Sequence, residues 1–430
     1  MINQYENLSY LSPFSGKTIP LKELCLSITD CPHSTPKWSE EGMIVIRNFN
    51  IKNGELDLSS PSYTDHESYL ERNKRATPEP GDIIITREAP MGEVCMIPDG
   101  VECCLGQRMV LLKVDEQKVS NQYLLFALQS EFVQKQISKS DRTGSTVSNL
   151  CIPDLKEIEV PIFENSKAIA DVLKAITSKI RVNNLINSEL EAMAKTLYDY
   201  WFVQFDFPDA NGKPYKASGG KMVYNAVLKR EIPEGWSDKT LSQIANITMG
   251  QSPAGSSYNE EGTGTIFYQG STDFGWLFPS TRQYTTAPSR MAKKGDILLS
   301  VRAPVGDMNI ANTDCCIGRG LAALNSKTGS DGFLFYVMKY FKQIFDRRNS
   351  EGTTFGSITK NDLHSLTLAY PTSDLLEKYD EVVTNYNKMI FERSLENREL
   401  VNLRDWLLPM LMNGQVTVKP STEPQEVQHG

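Results

Sequence analysis

Two long stretches of the chain keep apolar residues at alternating four- and three-residue spacing. In the first, Ile169, Leu173, Ile176, Ile180, Asn183, Asn187, Leu190, Ala194, Leu197 and Trp201 hold the pattern. In the second, 210 residues further on, Tyr379, Val383, Tyr386, Ile390, Arg393, Asn397, Leu400, Arg404, Leu407 and Leu411 hold it. Sustained 3.5-residue spacing predicts a coiled-coil seam rather than an ordinary surface helix. Polar residues interrupt both seams at the same place, Asn183 and Asn187 in one, Arg393 and Asn397 in the other. Polar seam positions cost stability and fix register, as two helices of one chain need in order to pair in a single alignment. Separate packing of each helix on its own domain is the alternative, and it would leave two apolar seams half-exposed. At 1.5 Å per residue the first helix is roughly 50 Å long, against about 34–36 Å for one turn of B-DNA. A rigid helical pair of that size suits a spacer.

The segment before each helix says the same thing twice. GDIIITREAPMGEV from Gly81 matches GDILLSVRAPVGDM from Gly295, and CCLGQ from Cys103 matches CCIGR from Cys315. Gly144 and Asp154-Leu155 reappear as Gly352 and Asp362-Leu363. Several collinear blocks point to a duplicated domain. In each copy the apolar run after Gly-Asp predicts a short buried strand closed near a Pro-Gly turn. Residues 122–136 and 333–345 have the three- and four-residue apolar spacing of amphipathic helices. A Gly-Asp turn feeding a buried strand is common, so this block alone is structural. Residues 205–231, rich in Pro, Gly and Lys, read as a linker, and the polar tail 414–430 is expected to be disordered.

Length and charge change this picture little. At 430 residues, with 40% hydrophobic and 23% charged positions, the chain is long enough for two or three globular units. No apolar run approaches the roughly 20 residues of a membrane span, and the start lacks the basic-then-apolar plan of a signal peptide; a cytoplasmic protein is expected. Eight cysteines with no CxxC suit free thiols in a reducing compartment. The net charge of −8 is uneven. Residues 1–160 carry 16 basic and 23 acidic residues, 161–231 carry 10 and 8, 232–371 carry 13 and 12, and 372–430 carry 6 and 10. No segment is a basic arm, so any DNA contact has to come from local patches or from a partner that supplies positive charge.

Catalytic signatures are missing. No GxGxxG follows a strand, and no Asn-Pro-Pro-aromatic motif of amino-methyltransferases occurs. Gly250-Gln-Ser-Pro-Ala-Gly255 has P-loop glycine spacing but continues into Ser256-Ser257, where a lysine is needed to reach phosphates. His33, His66, His364 and His429 show no metal spacing. The chain reads as a non-catalytic component with no metal or cofactor of its own. Two other readings stay open: a polypeptide with its own restriction or methylation chemistry, and a duplicated scaffold that binds protein rather than DNA.

Collinear blocks over nearly the whole chain give it a family resemblance. They include DCPHSTP from Asp30, LYDYWFVQFDFPD from Leu197, GKPYKASGGKMVYN from Gly212, IPEGW from Ile232, MGQSPAGSSYNEEG from Met249, FYQG from Phe267, CIGRGLAAL from Cys316 and LRDWLLPMLMNGQV from Leu403. In these the chain resembles the specificity (S) subunits of type I restriction–modification systems. The resemblance implies an α+β chain with two pseudo-repeated target-recognition domains, joined by two long helices that form an antiparallel intramolecular coiled coil. It implies this layout: target-recognition domain 1 at 1–162, first spacer helix at 163–204, linker at 205–231, target-recognition domain 2 at 232–372, second spacer helix at 373–413, tail at 414–430. It also implies partners: a bipartite double-stranded DNA site, two modification (M) subunits that bind S-adenosylmethionine and methylate adenine at N6, and a motor-nuclease (R) subunit using ATP and Mg.

Candidate DNA contacts are side chains whose donors and acceptors suit base edges or phosphates. In the first domain they are His33, Ser34, Thr35, Lys37, Arg47, Asn48, Arg72, Lys74, Arg75, Arg87 and Arg108. In the second they are Gln251, Ser252, Ser256, Tyr258, Gln269, Arg302 and Arg319. The bland reading of each is a solvated charge or a loop-capping group. The copies differ at one telling place: Glu88 stands opposite Arg302, and Arg87 is the expected substitute. That divergence predicts an asymmetric target. The aromatic cluster Tyr198, Tyr200, Trp201 and Phe202 is read either as docking surface for M subunits or as packing on the chain's own domain.

Overall fold

A computed structural model describes residues 16–139, 149–350 and 357–418. The chain divides into two compact units: Met1–Val182 together with Asn397–Gly430, and Asn183–Glu396. Gly144 and Gly352 of the repeat lie outside the described residues.

The first unit is built on an antiparallel sheet in the order Cys25–Asp30, Met109–Val114, Ile83–Thr86, Val94–Met96. Its apolar triplet is buried on both faces. Ile83 and Ile85 join Val110 and Leu112 in one core, while Ile84 joins Met109 and Leu111 in another. Side chains alternate across a strand, so a strand covered on both sides needs the continuous apolar run seen in the sequence. The second core is closed by a mixed sheet, Cys103–Leu105, Met43–Ile46, Ser62–Thr64, Trp38–Ser39, in which the first pair is parallel. The Gly-Asp entry has a local cause: Gly81 takes φ +90°, and the Asp82 carboxylate accepts the Glu79 N–H at 2.9 Å.

The second unit repeats this plan. Ala245–Met249, Leu321–Ser326, Ile297–Ser300 and Met308–Ile310 form the antiparallel sheet. Ile297 and Leu299 face one core and Leu298 the other. Gly295 takes φ +95°, and Asp296 accepts the Lys293 N–H at 2.8 Å. The expected helix at 333–345 lies within Asp331–Ser350, whereas that at 122–136 is two helices, Asn121–Leu128 and Glu131–Lys139. Ser130 separates them, donating to the Ala127 carbonyl at 2.6 Å and accepting the Val133 N–H at 3.4 Å.

Both heptad stretches are long helices, Ser166–Tyr198 and Ser373–Met412. In the first unit Ile169 and Leu173 share a core with Leu411, and Asn165 donates to the Val418 carbonyl at 3.2 Å. In the second unit Asn183 donates to Glu396 at 2.7 Å, Asn187 to Ser394 at 3.4 Å, and the Tyr379 hydroxyl to the Ala194 carbonyl at 3.2 Å. Rising numbers on one helix meet falling numbers on the other, so the pairing is antiparallel. Ile176, Ile180, Leu190, Val383 and Ile390 are buried as the spacing predicts, while Tyr386, Asn397, Leu400 and Leu407 are half-buried.

The seam departs from its predicted register at one end. After Ala194 the buried residues are Tyr198 and Phe202, and Leu197 and Trp201 are only half-buried. A straight helix drifts about 20° per heptad from a 3.5 repeat. Here the last turn also widens into a π segment, Asp199–Val203, with Gln204 N–H donating to the Asp199 carbonyl at 2.9 Å. This aromatic cluster packs within its own unit: Phe202 lies 4.8 Å from Phe333 and 5.0 Å from Tyr379, ring centre to ring centre. Tyr200 remains exposed.

Two compositional readings need correction. The stretch 205–231 is folded rather than a loose linker: Phe205 and Phe207 pack on Trp236, and Met222–Asn225 pairs with Arg230–Pro233 as a hairpin. Its Gly, Pro and Lys content reflects tight turns, not missing contacts. Part of the stretch expected to be a disordered tail is packed. Val416 and Val418 pack half-buried against the first unit's core, and residues 419–430 lie outside the described residues.

Candidate nucleic-acid interface

The two units share a backbone frame in detail. Gly106 N–H donates to the Ile46 carbonyl at 2.8 Å, as Gly318 does to Tyr268 at 2.8 Å. Arg87 N–H donates to the Arg108 carbonyl and Leu150 N–H to the Arg87 carbonyl; Val301 with Gly320, and Ile358 with Val301, repeat these bonds. Strand registers complete the match, pairing Val45 with Cys104 and Phe267 with Cys316. Arg47, Glu88, Gln107 and Arg108 therefore occupy the backbone places of Gln269, Arg302, Arg319 and Gly320. The frame is held constant while the side chains on it change.

In the second unit the frame opens into a pocket of about 410 Å³. Four of the seven predicted residues line it: Ser252, Gln269, Arg302 and Arg319. Both guanidiniums are exposed, and among the described residues neither has a carboxylate partner. Ser252 is held in place, its hydroxyl accepting the Arg319 N–H at 3.3 Å. Asp307, which the sequence reading passed over, also lines the pocket, and Lys342 lies 3.4 Å from its carboxylate. Ser300, Ser271 and Thr272 were missed too; only the repeat position of Ser300 opposite Thr86 signals it.

The other three lie off the pocket. Gln251 is exposed, and its carbonyl accepts a hydrogen bond from Ser289. Ser256 is exposed in a short 3-10 turn. Tyr258 has a packing role: its ring lies 4.8 Å from Phe267 and its hydroxyl donates to the Pro253 carbonyl at 3.0 Å. Gly250 also has a packing role, since a Cβ there would sit 2.1 Å from the Gly318 carbonyl oxygen.

The first unit uses the same frame differently. Glu88 meets Arg108 with Nε to Oε2 at 3.0 Å. Gln107, absent from the sequence reading, donates to the His33 carbonyl. His33 lies 3.1 Å from Asp30 and is largely exposed. Asn48 donates to the Glu88 carbonyl, and its amide oxygen is buried without a partner among the described residues. Arg47 is exposed between two exposed rings, 5.0 Å from the centre of Trp38 and 4.8 Å from Phe49. Both rings were missed; Phe49, two residues after Arg47, carried a local signal, whereas Trp38 comes from a separate strand. Lys37 pairs with Asp65 at 2.8 Å, and that ammonium, with the Ser68 N–H, holds the Asp65 carboxyl down at about 2. Lys74 and Arg75 are exposed just beyond the helix His66–Arg72.

Two predicted contacts turn inward. Arg72 is buried and donates to the carbonyls of Leu105 at 2.9 Å, Ser34 at 3.0 Å and Pro32 at 3.3 Å. Arg87 donates to both Asp30 oxygens at 2.9 Å and to the Leu150 carbonyl at 2.9 Å. Five donors in a fixed fork suit a guanidinium to such bracing. Arg72 holds the loop carrying Ser34 and Thr35, and Arg87 does not take Arg302's place.

Among the described residues no group of three or more His, Cys, Asp or Glu is arranged to hold a metal, and no helix is long and apolar enough to cross a membrane.

Comparison with known proteins agrees with the repeat. The family model described as Type I restriction modification DNA specificity domain matches residues 16–192 and again 233–385. The MjaX type I restriction enzyme specificity subunit of Methanocaldococcus jannaschii is 31% identical over 350 residues, 79% of this chain and 79% of that protein. The MjaIX specificity subunit of the same organism is 25% identical over 79% of this chain and 78% of its own length. A crystal structure of a type I restriction–modification S subunit from M. genitalium shares the fold, with TM-score 0.59 and 19% identity over 96% of this chain and 97% of that one.

Proposed function

The chain belongs to the family of type I restriction–modification DNA specificity subunits, and on that premise we propose that each of its two domains reads one half of an asymmetric bipartite DNA site. The observation that carries this reading is the shared frame with different side chains. One scaffold places Glu88, Gln107 and Arg108 in the first domain and Arg302, Arg319 and Gly320 in the second. Loops with the same backbone and different donors and acceptors select different base edges. In this proposal the paired helices set the gap between half-sites and dock two M subunits, and the complex directs adenine-N6 methylation and, with the R subunit, restriction.

The chain itself is proposed to be non-catalytic. S-adenosylmethionine belongs to the M subunits, and ATP with Mg to the R subunit. A cytoplasmic location follows from where the DNA is. The test is a genome-wide methylation map, by single-molecule sequencing, of cells expressing the cognate M subunit with and without this chain. A bipartite, asymmetric methyladenine motif that depends on the chain supports the proposal. Methylation indifferent to the chain overturns it.

A further inference from the structure

We infer that the two domains read their half-sites with opposite chemistry: the second by guanidinium donors at Arg302 and Arg319, the first by the Glu88 carboxylate as an acceptor. The inference rests on the DNA-reading function proposed above and names the base-edge class for each domain.

The donors come first. Arg302, Arg319 and Gln269 all border the open pocket, and neither arginine is spent on a carboxylate among the described residues. A guanidinium fork matches the paired O6 and N7 acceptors of guanine in the major groove. By contrast Arg87, an arginine of the same repeat block, is fully committed inside its unit. The free pair is thus a property of this surface and not of arginines in general.

At the place of Arg302 the first domain carries Glu88. Its carboxylate is not free to swing: Arg108 holds one oxygen at 3.0 Å, and Asn48 holds the same residue's carbonyl. About a fifth of the Glu88 side chain stays exposed. A fixed carboxylate oxygen accepts from the exocyclic amine of cytosine or adenine and repels guanine O6, thymine O4 and phosphate. Arg108, more than half exposed, neutralises the carboxylate where it approaches the duplex. At this place in the frame the second domain therefore offers two unpaired positive charges, and the first an internally neutralised pair.

The experiment uses the full chain assembled with its M subunit. Arg302→Ala, Arg302→Lys, Arg319→Ala and Glu88→Gln are each mapped by methylation sequencing and titrated on duplex DNA from low to moderate salt. Arg302→Ala and Arg319→Ala are expected to lose about tenfold or more discrimination at one guanine of a single half-site. Arg302→Lys keeps the charge but not the fork, and is expected to relax the same position. Glu88→Gln, which adds a donor, is expected to relax one cytosine or adenine in the other half-site.

If the arginine variants lower the salt slope by about one with the motif unchanged, they touch phosphate and the inference fails. It also fails if Glu88→Gln leaves its half-site intact. A wild-type complex with no bipartite motif overturns the functional proposal itself, which separates the two failures. Thermal unfolding of each variant identifies loss of fold, and the isosteric Glu88→Gln keeps the first-domain arm interpretable.

Discussion

Arg87 donates from Nη1 to both carboxylate oxygens of Asp30, each at 2.9 Å, with 12% of the arginine side chain exposed. The pair ties the end of one sheet strand to the loop after another, and Arg87 Nε adds the Leu150 carbonyl at 2.9 Å. Removing one partner leaves a partly buried charge and a carbonyl without its donor. Arg87→Ala is expected to lower stability by about 3 kcal/mol while leaving both half-sites unchanged. Urea unfolding and a methylation map check this. A changed motif at full stability would make Arg87 a reader.

Asn187 sits 2% exposed in the seam, with its amide oxygen unpartnered among the described residues and its amide nitrogen 3.4 Å from the Ser394 hydroxyl. A buried unsatisfied oxygen costs about 1–3 kcal/mol. Asn187→Leu is expected to raise stability by about 1 kcal/mol and to weaken the choice of helix register. Chemical denaturation measures the first effect, and disulfide trapping between engineered cysteines on the two helices measures the second.

Lys339 forms an ion pair with Glu191 and lies 5.1 Å over the Phe335 ring, with both charged side chains mostly covered. Glu191→Leu alone strands the ammonium and is expected to cost about 2 kcal/mol, between the values for exposed and buried pairs. The double variant Glu191→Leu with Lys339→Met is expected to recover most of that loss. A double-mutant cycle in urea supplies the coupling. Additive single effects would show that the pair is not coupled.

Burial pushes the thiols of Cys25, Cys103 and Cys315 up to about 12 and that of Cys104 up to about 11. In the unfolded chain they ionise near 9. Between those values the folded state holds more protons than the unfolded one. Stability should therefore fall as pH rises above 9, by up to about 1.4 kcal/mol per thiol for each pH unit. Denaturation midpoints at pH 8, 9 and 10, repeated with Cys103→Ala and Cys315→Ala, test the slope. Iodoacetamide at pH 8 should leave all four thiols unmodified until denaturant is added.

The chain's pattern alone was enough for the duplication, the two long helices and the fully buried strand behind each Gly-Asp turn. Those features are periodic, and a period of 2 or 3.5 survives any detail of packing. It also located the loops around Ser252, Gln269, Arg302 and Arg319, because they border the repeated blocks. The fate of each arginine was not legible. Arg72, Arg87 and Arg302 look alike in sequence, and only the folded chain shows carbonyls closing around Arg72, Asp30 meeting Arg87, and open solvent at Arg302. Gln107 and Trp38 were missed for the same reason: their partners, His33 and Arg47, come from distant segments of the chain. Local periodicity depends on neighbours along the chain and is written into it. Whether a side chain is spent inside or left to bind depends on long-range partners, and the tertiary structure alone decides which groups meet.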